Sequence, residues 1–252
     1  GTFTANNGTV EMNGTSAQTI LAATFLGNNI KALIINNNAG VTLGGTLNLT
    51  DVLTVTNGSL ASGGYLVLKS SATATARVAP ITSAAANPIT GNVTVERYIP
   101  GRRKYRLITS AVTTSTSSVL TAGQESMSIW GNWQNSGINT TTNVGELITG
   151  GTLADGFDQG TTNASLYTYN FSSRLFTGFT SANGKNTKYT PLKAGVAYYM
   201  FVYGDRTNTI YTNTPHYTTL SSEGPLLTVD QKYTNASTIP LNGGNGIYTL
   251  LG

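Results

Sequence analysis

The feature that most constrains this chain is a repeat of 19 to 20 residues near its amino terminus. The run Gly44-Gly45-Thr46-Leu47-Asn48-Leu49 returns nineteen residues later as Gly63-Gly64-Tyr65-Leu66-Val67-Leu68, and Leu33-Ile34-Ile35-Asn36-Asn37 returns twenty later as Leu53-Thr54-Val55-Thr56-Asn57. Each repeat unit consists of short β segments separated by Gly and Asn. A single unit cannot bury its apolar side and needs the next copy to cover it. The repeat therefore predicts a parallel β-solenoid over residues 1–75.

Alternation within the repeats predicts which side chains point into the solenoid, since successive strand residues face opposite sides. The predicted inward positions are Leu33, Ile35, Val41, Leu43, Leu47, Leu49, Leu53, Val55, Leu60, Leu66 and Leu68. They step by about six to eight residues, which indicates about three faces per coil.

Two registers are open for the first coil. Glu11, Lys31 and Asp51 are spaced by twenty residues and would form a charge ladder on an outer face. A spacing of twenty-three instead aligns Val10 with Leu33 and continues an apolar column.

Composition favours an extracellular all-β protein. Only 10% of the residues are charged, against roughly 25% in ordinary globular domains. Cysteine is absent, which excludes disulfides, thiolate catalysis and cysteine-ligated metals. The longest apolar run, Val196 to Tyr203, is far shorter than the ~20 residues of a membrane helix, so we expect no membrane span.

The pattern changes after Leu68. A stretch of small residues from Ser70 to Asn87, rich in Ala, Thr and Ser and bordered by Pro80 and Pro88, predicts a cap or linker over 76–88, because the end of a solenoid has to be covered. Longer strands with polar loops follow, and they predict a jelly-roll-like β-sandwich over 89–252. The predicted strands are 91–99, 104–110, 166–171, 194–204, 217–222 and 247–251.

Several segments of this second region carry a family resemblance. They are, in chain order, GNVTVERYIP from Gly91, RRKYRLITS from Arg102, GFD from Gly156, YTYN from Tyr167, LKAGVAYY from Leu192 and FVYGDR from Phe201. They resemble a module of very large cell-surface proteins of Bacteroidota that the type IX secretion system exports, including adhesin-like and gliding-related proteins. The solenoid part is similar to the segment that precedes this module.

The resemblance implies secretion to the cell surface. It implies as partners the type IX secretion machinery during export, and neighbouring segments or copies of the same surface protein. The chain departs from the family at Leu250-Leu251-Gly252, where an Asn-Pro dipeptide and a further segment are usual, and a carboxy-terminal sorting domain is missing. We therefore expect these residues to be a piece of a longer polypeptide.

Enzymatic residues are scarce. His216 is the single histidine, and no nucleophile-elbow sequence lies near it. Glu11 and Asp51 would lie two coils, or about 9.6 Å, apart at ~4.8 Å per coil. That distance falls just beyond the ~6.5–9.5 Å of inverting glycosidases, and Lys31 lies between the two. We expect a non-enzymatic protein, with a polysaccharide-processing β-helix as the less favoured alternative.

Three loop carboxylates are the candidate metal ligands. Asp155 and Asp158 lie in Asp-Gly-Phe-Asp-Gln-Gly, and Asp205 follows a glycine. Oxygen ligands of this kind suit calcium, although the spacing matches no EF-hand. The alternative is that these side chains close turns, and we expect no other cofactor.

Candidate ligand contacts come from two sets. Arg102 and Arg103 belong to a basic cluster with Arg97, Lys104 and Arg106, which would bind a polyanion such as an acidic polysaccharide or would tie a loop to the sheet. No recognisable nucleic-acid fold accompanies the cluster, so we expect no nucleic-acid partner.

The second set is aromatic. Trp130 and Trp133 lie in a segment rich in Gly and Asn, where an exposed indole would stack on a sugar; alternatively both rings fill the core. Alternation places Tyr199, Phe201 and Tyr203 on one face, which we expect to be core.

Together these patterns predict a non-enzymatic structural or adhesive module of a secreted surface fibre or adhesin. A carbohydrate-binding module is the alternative.

Overall fold

The computed structural model describes residues 2–5, 8–85, 87–135, 144–170, 173–206 and 216–228. The protein is all-β, as the sequence predicts. Its strands are β1 (Thr9–Met12), β2 (Gln18–Leu21), β3 (Asn29–Gly44), β4 (Leu47–Ala61), β5 (Leu66–Leu68), β6 (Arg77–Val78), β7 (Ile89–Thr90), β8 (Asn92–Ile99), β9 (Lys104–Thr109), β10 (Leu166–Asn170), β11 (Leu175–Gly178), β12 (Ala197–Val202) and β13 (Thr218–Pro225). Short 3-10 helices cover Leu26–Asn28, Glu125–Met127 and Ser181–Asn183.

The chain divides into two compact units. The first contains the described residues up to Tyr98 together with Glu223–Thr228, and the second contains the described residues between Ile99 and Ser222. The described residues contain no helix long and apolar enough to cross a membrane.

The first unit is a parallel β-solenoid of about four turns over residues 9–95. The repeats pair in the predicted registers as far as Ile35 and Val55, after which a register shift of one residue places Asn36 beside Asn57. Leu33 lies beside Leu53 in the β3–β4 pair, and Leu47 lies beside Leu66 in the β4–β5 pair. All the predicted inward positions are buried and belong to one apolar cluster. The aliphatic side chains therefore form columns that run from coil to coil.

The first coil takes the register with the longer spacing. Val10 pairs with Leu33, and Glu11 pairs with Ile34 rather than lying beside Lys31. The Glu11–Lys31 step of the charge-ladder prediction is therefore wrong, because continuing the buried columns stabilises more than exposed ion pairs do. The Glu11 carboxylate instead accepts a hydrogen bond of 3.0 Å from the side-chain amide of Asn36.

Buried Asn37 holds one corner of the solenoid. Its Nδ2 donates to the carbonyl oxygen of Ser16 at 2.8 Å and to Oε1 of Gln18 at 2.9 Å, and its Oδ1 accepts from the backbone N–H of Ala39 at 2.9 Å. Gly58 lies beside it in the next coil with φ of 71°, and a Cβ there would stand 1.8 Å from the Asn37 carbonyl oxygen. Only glycine fits this close backbone approach.

The parallel stack continues beyond residue 75. The strand β6 lies in the segment that we expected to be a cap or linker, and it pairs with β4. The strand β8, expected to begin the sandwich, pairs with β5 so that Leu66 lies beside Val93. The strands β6 and β7 contain two residues each, which is too few to show an alternating pattern, and this is why the sequence did not reveal the continuation.

The second unit contains an antiparallel sheet in the order β11-β10-β12-β9. The predicted strands at 104–110, 166–171 and 194–204 are present as β9, β10 and β12, whereas β11 was not predicted. A second, facing sheet of jelly-roll type stays a prediction, and its strand at 247–251 lies outside the described residues. One face of the sheet packs on a core that includes Trp133 and Phe157.

Candidate binding face

The strand β12 of the antiparallel sheet is apolar or aromatic on both faces. Along β12, Tyr198, Met200 and Val202 point into the core. The alternate residues Tyr199 and Phe201 are half-buried and lie on the opposite face. The prediction that these residues are core is wrong, because alternation groups side chains by face without saying which face is covered.

Seven aromatic rings meet on this outer face, and we call them the aromatic face. They are Tyr105 on β9, Tyr167 and Tyr169 on β10, Phe176 on β11, Tyr199 and Phe201 on β12, and Tyr203 just after β12. Six of them form a continuous line with centroid separations of 4.9 Å from Tyr203 to Phe201, 5.0 Å to Tyr105, 4.6 Å to Tyr199, 4.8 Å to Phe176 and 5.3 Å to Tyr169. Tyr167 lies 6.1 Å from Tyr105.

Strand register brings these rings together. Phe201 pairs with Tyr105 across β12 and β9, Tyr199 pairs with Tyr167 across β12 and β10, and Tyr169 pairs with Phe176 across β10 and β11. Directly opposed side chains on one face lie close enough to interact, and aromatic pairs are among the favourable ones. The line of rings consequently crosses all four strands.

The aromatic face is accessible to a partner. Tyr105 is 44% exposed, Phe176 is 41% exposed and neighbouring Leu107 is 58% exposed. The pKa of Tyr167 is raised to about 12, first by partial burial and then by a hydrogen bond with Tyr105 and by neighbouring tyrosines, so its hydroxyl stays protonated at neutral pH. Contiguous apolar patches of this kind are characteristic of interaction sites.

One arginine, Arg103, lies beside the aromatic face. The guanidinium carbon of Arg103 is 6.0 Å from the ring centre of Tyr203, a distance at which a cation interacts with a ring. Arg174 is exposed in the turn between β10 and β11, two residues before Phe176. Arg102 is exposed before β9.

The predicted basic cluster does not lie on one surface. Arg106 pairs with Met200 and therefore lies on the opposite face from Tyr105. Arg103 and Tyr105 share a face by the same alternation. Arg97 belongs to β8 in the first unit.

The two tryptophans lie apart from the aromatic face. Trp133 is 2% exposed and packs edge-on against Tyr198 in the core, with 5.1 Å between ring centroids. Trp130 is half-buried, and Nζ of Lys188 lies 5.7 Å from its ring centre. The sequence analysis proposed the tryptophans as ligand contacts and did not identify the aromatic face. The pattern that could have identified it is the recurrence of aromatic residues at every second position, at 167 and 169 and again at 199, 201 and 203.

Asp155 and Asp158 are both engaged in hydrogen bonds with other parts of the second unit. Asp155 accepts hydrogen bonds from Thr152 at 2.8 Å and Asn186 at 3.1 Å. Its pKa is lowered by hydrogen bonds, that of Ser181 being the largest cause. Asp158 accepts from Arg206 at 2.7 Å and belongs to a largely buried ion pair. Among the described residues, no group of three or more Asp, Glu or His side chains is arranged to hold a metal ion.

A buried carboxylate fixes the end of the aromatic line. Glu146 is fully buried beside Asp205, and its Oε1 accepts from the backbone N–H of Tyr203 at 2.6 Å and of Gly204 at 3.2 Å. Its Oε2 has no hydrogen-bond partner in the described part of the chain. Burial, and then the charges of Asp158 and Asp205, raise the pKa of Glu146 well above its ordinary value.

Comparisons with protein-family models, curated proteins and solved structures find no match. The structure shows a β-solenoid followed by an antiparallel sheet. The resemblance to type IX secreted surface proteins stays a prediction.

Proposed function

We propose that this chain is a non-enzymatic adhesive module of a secreted cell-surface fibre or adhesin. The observation that carries the proposal is the aromatic face, which joins seven rings on the exposed side of the antiparallel sheet. Aromatic side chains supply large contact areas at low conformational cost, because each has only two rotatable side-chain bonds. An exposed sheet face built from them suits repeated binding to other surfaces.

The solenoid fits the role of a spacer in such a module. Its parallel coils are joined by continuous backbone pairing and by aliphatic columns. Repeats of this kind contact mainly their neighbours and form extended, stiff arrays. Neighbouring segments or copies of the same surface protein are the partners that we propose for it.

Carbohydrate is the ligand class that the aromatic face favours. Five of its rings are tyrosines, namely Tyr105, Tyr167, Tyr169, Tyr199 and Tyr203. A tyrosine offers an apolar ring for the C–H face of a sugar and a hydroxyl for its oxygens. The polysaccharide-processing alternative has less support, since Glu11 is engaged with Asn36 and does not share a register with Lys31.

The proposal is tested by adsorption of the full chain to a panel of polysaccharides and to bacterial cells. The variant carries Tyr105→Ser and Phe176→Ser, and the matched control carries Tyr65→Ser in the solenoid, where Tyr65 is 43% exposed. We expect the double variant to bind about tenfold more weakly, since each aromatic contact is worth roughly 0.5–1.5 kcal/mol, and the control to bind normally. Equal binding by all three proteins would refute the proposed role of the aromatic face.

A further inference from the structure

We propose that the ligand of the aromatic face is an uncharged glycan with an extended chain of the cellulose type, whose successive sugar units meet successive rings. This inference rests on the proposed adhesive function and names its ligand. Three features of the described residues carry it, which are a row of evenly spaced rings, the absence of charged residues on the ring-bearing side of the sheet, and hydroxyls among the rings.

Three rings form the central row of the aromatic face, namely Tyr105, Tyr199 and Phe176. The ring centroids of Tyr105 and Tyr199 lie 4.6 Å apart with an interplanar angle of 9°, and those of Tyr199 and Phe176 lie 4.8 Å apart with an angle of 32°. These separations are close to the length of one sugar unit in an extended chain of the cellulose type. Consecutive sugars of such a chain meet consecutive rings, whereas a coiled glycan does not keep this spacing.

The central row has a defined length, because a ring at each end is turned away from it. Phe201 stands at 69° to Tyr105, and Tyr169 stands at 64° to Phe176. Strand pairing fixes both ends, since Phe201 lies opposite Tyr105 and Tyr169 lies opposite Phe176. The row therefore offers one position for each of the sugars that its three rings accommodate.

The ring-bearing side of the four strands carries no charged residue. By alternation from the paired rings, the strand residues on this side are Tyr105, Leu107 and Thr109 of β9, Tyr167 and Tyr169 of β10, Phe176 and Gly178 of β11, and Ala197, Tyr199 and Phe201 of β12. Lys104 and Arg106 alternate to the other side of β9.

An uncharged ligand matches this surface. A carboxylated sugar lying on the central row would lose water from its charge without meeting a cation among the strand residues of that side. Arg103 lies outside the strands, with its guanidinium against the ring of Tyr203, and Tyr203 does not belong to the row.

Hydroxyls on the central row and beside it favour a sugar over an apolar partner. The hydroxyls of Tyr105 and Tyr167 are hydrogen-bonded to each other. A tyrosine hydroxyl has one O–H donor and acceptor lone pairs, so a bonded pair keeps both donor and acceptor capacity for a ligand. Burial under a lipid or an apolar protein face would leave that capacity unmet, which costs free energy, whereas the hydroxyls of a glycan meet it.

The test compares two series of glucose oligomers that differ only in linkage. Cello-oligosaccharides are extended, and isomalto-oligosaccharides of the same length are flexible. In calorimetric titration of the full chain, we expect the affinity to rise about fivefold with each unit from glucose to cellotriose and then to level off, because each of these sugars gains one aromatic contact. Cellotriose is expected to bind about tenfold more tightly than isomaltotriose, since an extended chain loses less freedom on binding, and added salt is expected to leave its affinity unchanged.

Variants place the contact on the central row. Phe176→Ser removes the ring at one end, so we expect the affinity to level off one unit earlier, with cellobiose itself bound normally. Phe176→Leu keeps an apolar side chain without the ring and is expected to show the same shift, which covers the case that the serine variant is unstable. The matched control is Tyr65→Ser in the solenoid, since Tyr65 is 43% exposed and Phe176 is 41% exposed, and it is expected to bind the whole series normally. A thermal unfolding curve for each variant verifies that the fold is kept.

Each other outcome overturns a defined part. Equal affinity for the two linkage series, an affinity independent of chain length, or an equal loss with Tyr65→Ser would overturn the extended glycan while leaving the adhesive function intact. Tighter binding of carboxymethyl cellulose than of hydroxyethyl cellulose at low salt would overturn the uncharged ligand. A failure of both series together with a failure of the adsorption test would overturn the proposed function itself. A dimer in sedimentation that the Tyr105→Ser, Phe176→Ser variant disperses would overturn the glycan and assign the face to a second copy of this chain.

Discussion

Replacing Asn37 by alanine is expected to destabilise the solenoid by about 3 kcal/mol. Asn37 is buried, and its side chain makes three hydrogen bonds, to Ser16, Gln18 and Ala39. A typical intramolecular hydrogen bond contributes ~1 kcal/mol net, and a buried group left without a partner costs ~1–3 kcal/mol. Alanine can form none of these three hydrogen bonds. The substitution therefore weakens the attachment of the first coil, which contains Ser16 and Gln18, to the second.

The matched control is Asn57→Ala in the following coil. Asn57 is exposed, and its amide donates to Oδ1 of Asn36 at 2.8 Å. Water replaces such a contact readily, so we expect a cost of under about 1 kcal/mol.

Urea unfolding followed by far-ultraviolet circular dichroism measures both changes. Tryptophan fluorescence serves as an internal reference, since Trp130 and Trp133 both belong to the second unit. We expect Asn37→Ala to move the circular dichroism transition to a clearly lower urea concentration. If Asn37→Ala and Asn57→Ala cost the same free energy of unfolding, the reasoning from burial is refuted.

Two further substitutions test the strained corner and the buried carboxylate. Gly58→Ala is expected to cost at least about 2 kcal/mol, because the positive φ disfavours a side chain and the added Cβ meets the Asn37 carbonyl oxygen at 1.8 Å; thermal unfolding near wild-type temperature would contradict this. For Glu146, a raised folded-state pKa means that its stabilising contribution is full below 4.5, its ordinary value, and is lost as pH rises toward the raised value. Glu146→Gln is therefore expected to gain stability relative to wild type as pH increases, and a pH-independent difference in Tm would contradict the assignment.

Particular residues show how far sequence reasoning reached. The pairing of Leu33 with Leu53 and of Leu47 with Leu66 followed from the repeat, because a parallel solenoid places equivalent residues of successive coils side by side. The first coil was ambiguous, since both Glu11 and Val10 had plausible partners. Its register was decided by which side chains could reach the buried columns.

The candidate site was harder to predict than the solenoid. Alternation correctly groups Tyr199, Phe201 and Tyr203 on one face of the sheet. It also led to the expectation that this face is the core, whereas the structure places it opposite the core. For Trp133 the opposite happened, since this ring was a candidate for ligand contact and the structure buries it in the core. Both outcomes depend on which elements pack against the sheet, and a period of two residues contains no information on that.

The sequence by itself determined the all-β class, the repeat length and the inward aliphatic positions, because these depend on local periodicity and on residue size. Only the tertiary structure decided that Tyr105, Tyr199 and Phe176 form one exposed surface, since they come from three strands that are distant in the chain. It also decided that Arg103 lies beside Tyr203. A binding face of this kind is a property of strand order and register, which long-range packing sets and local patterns do not.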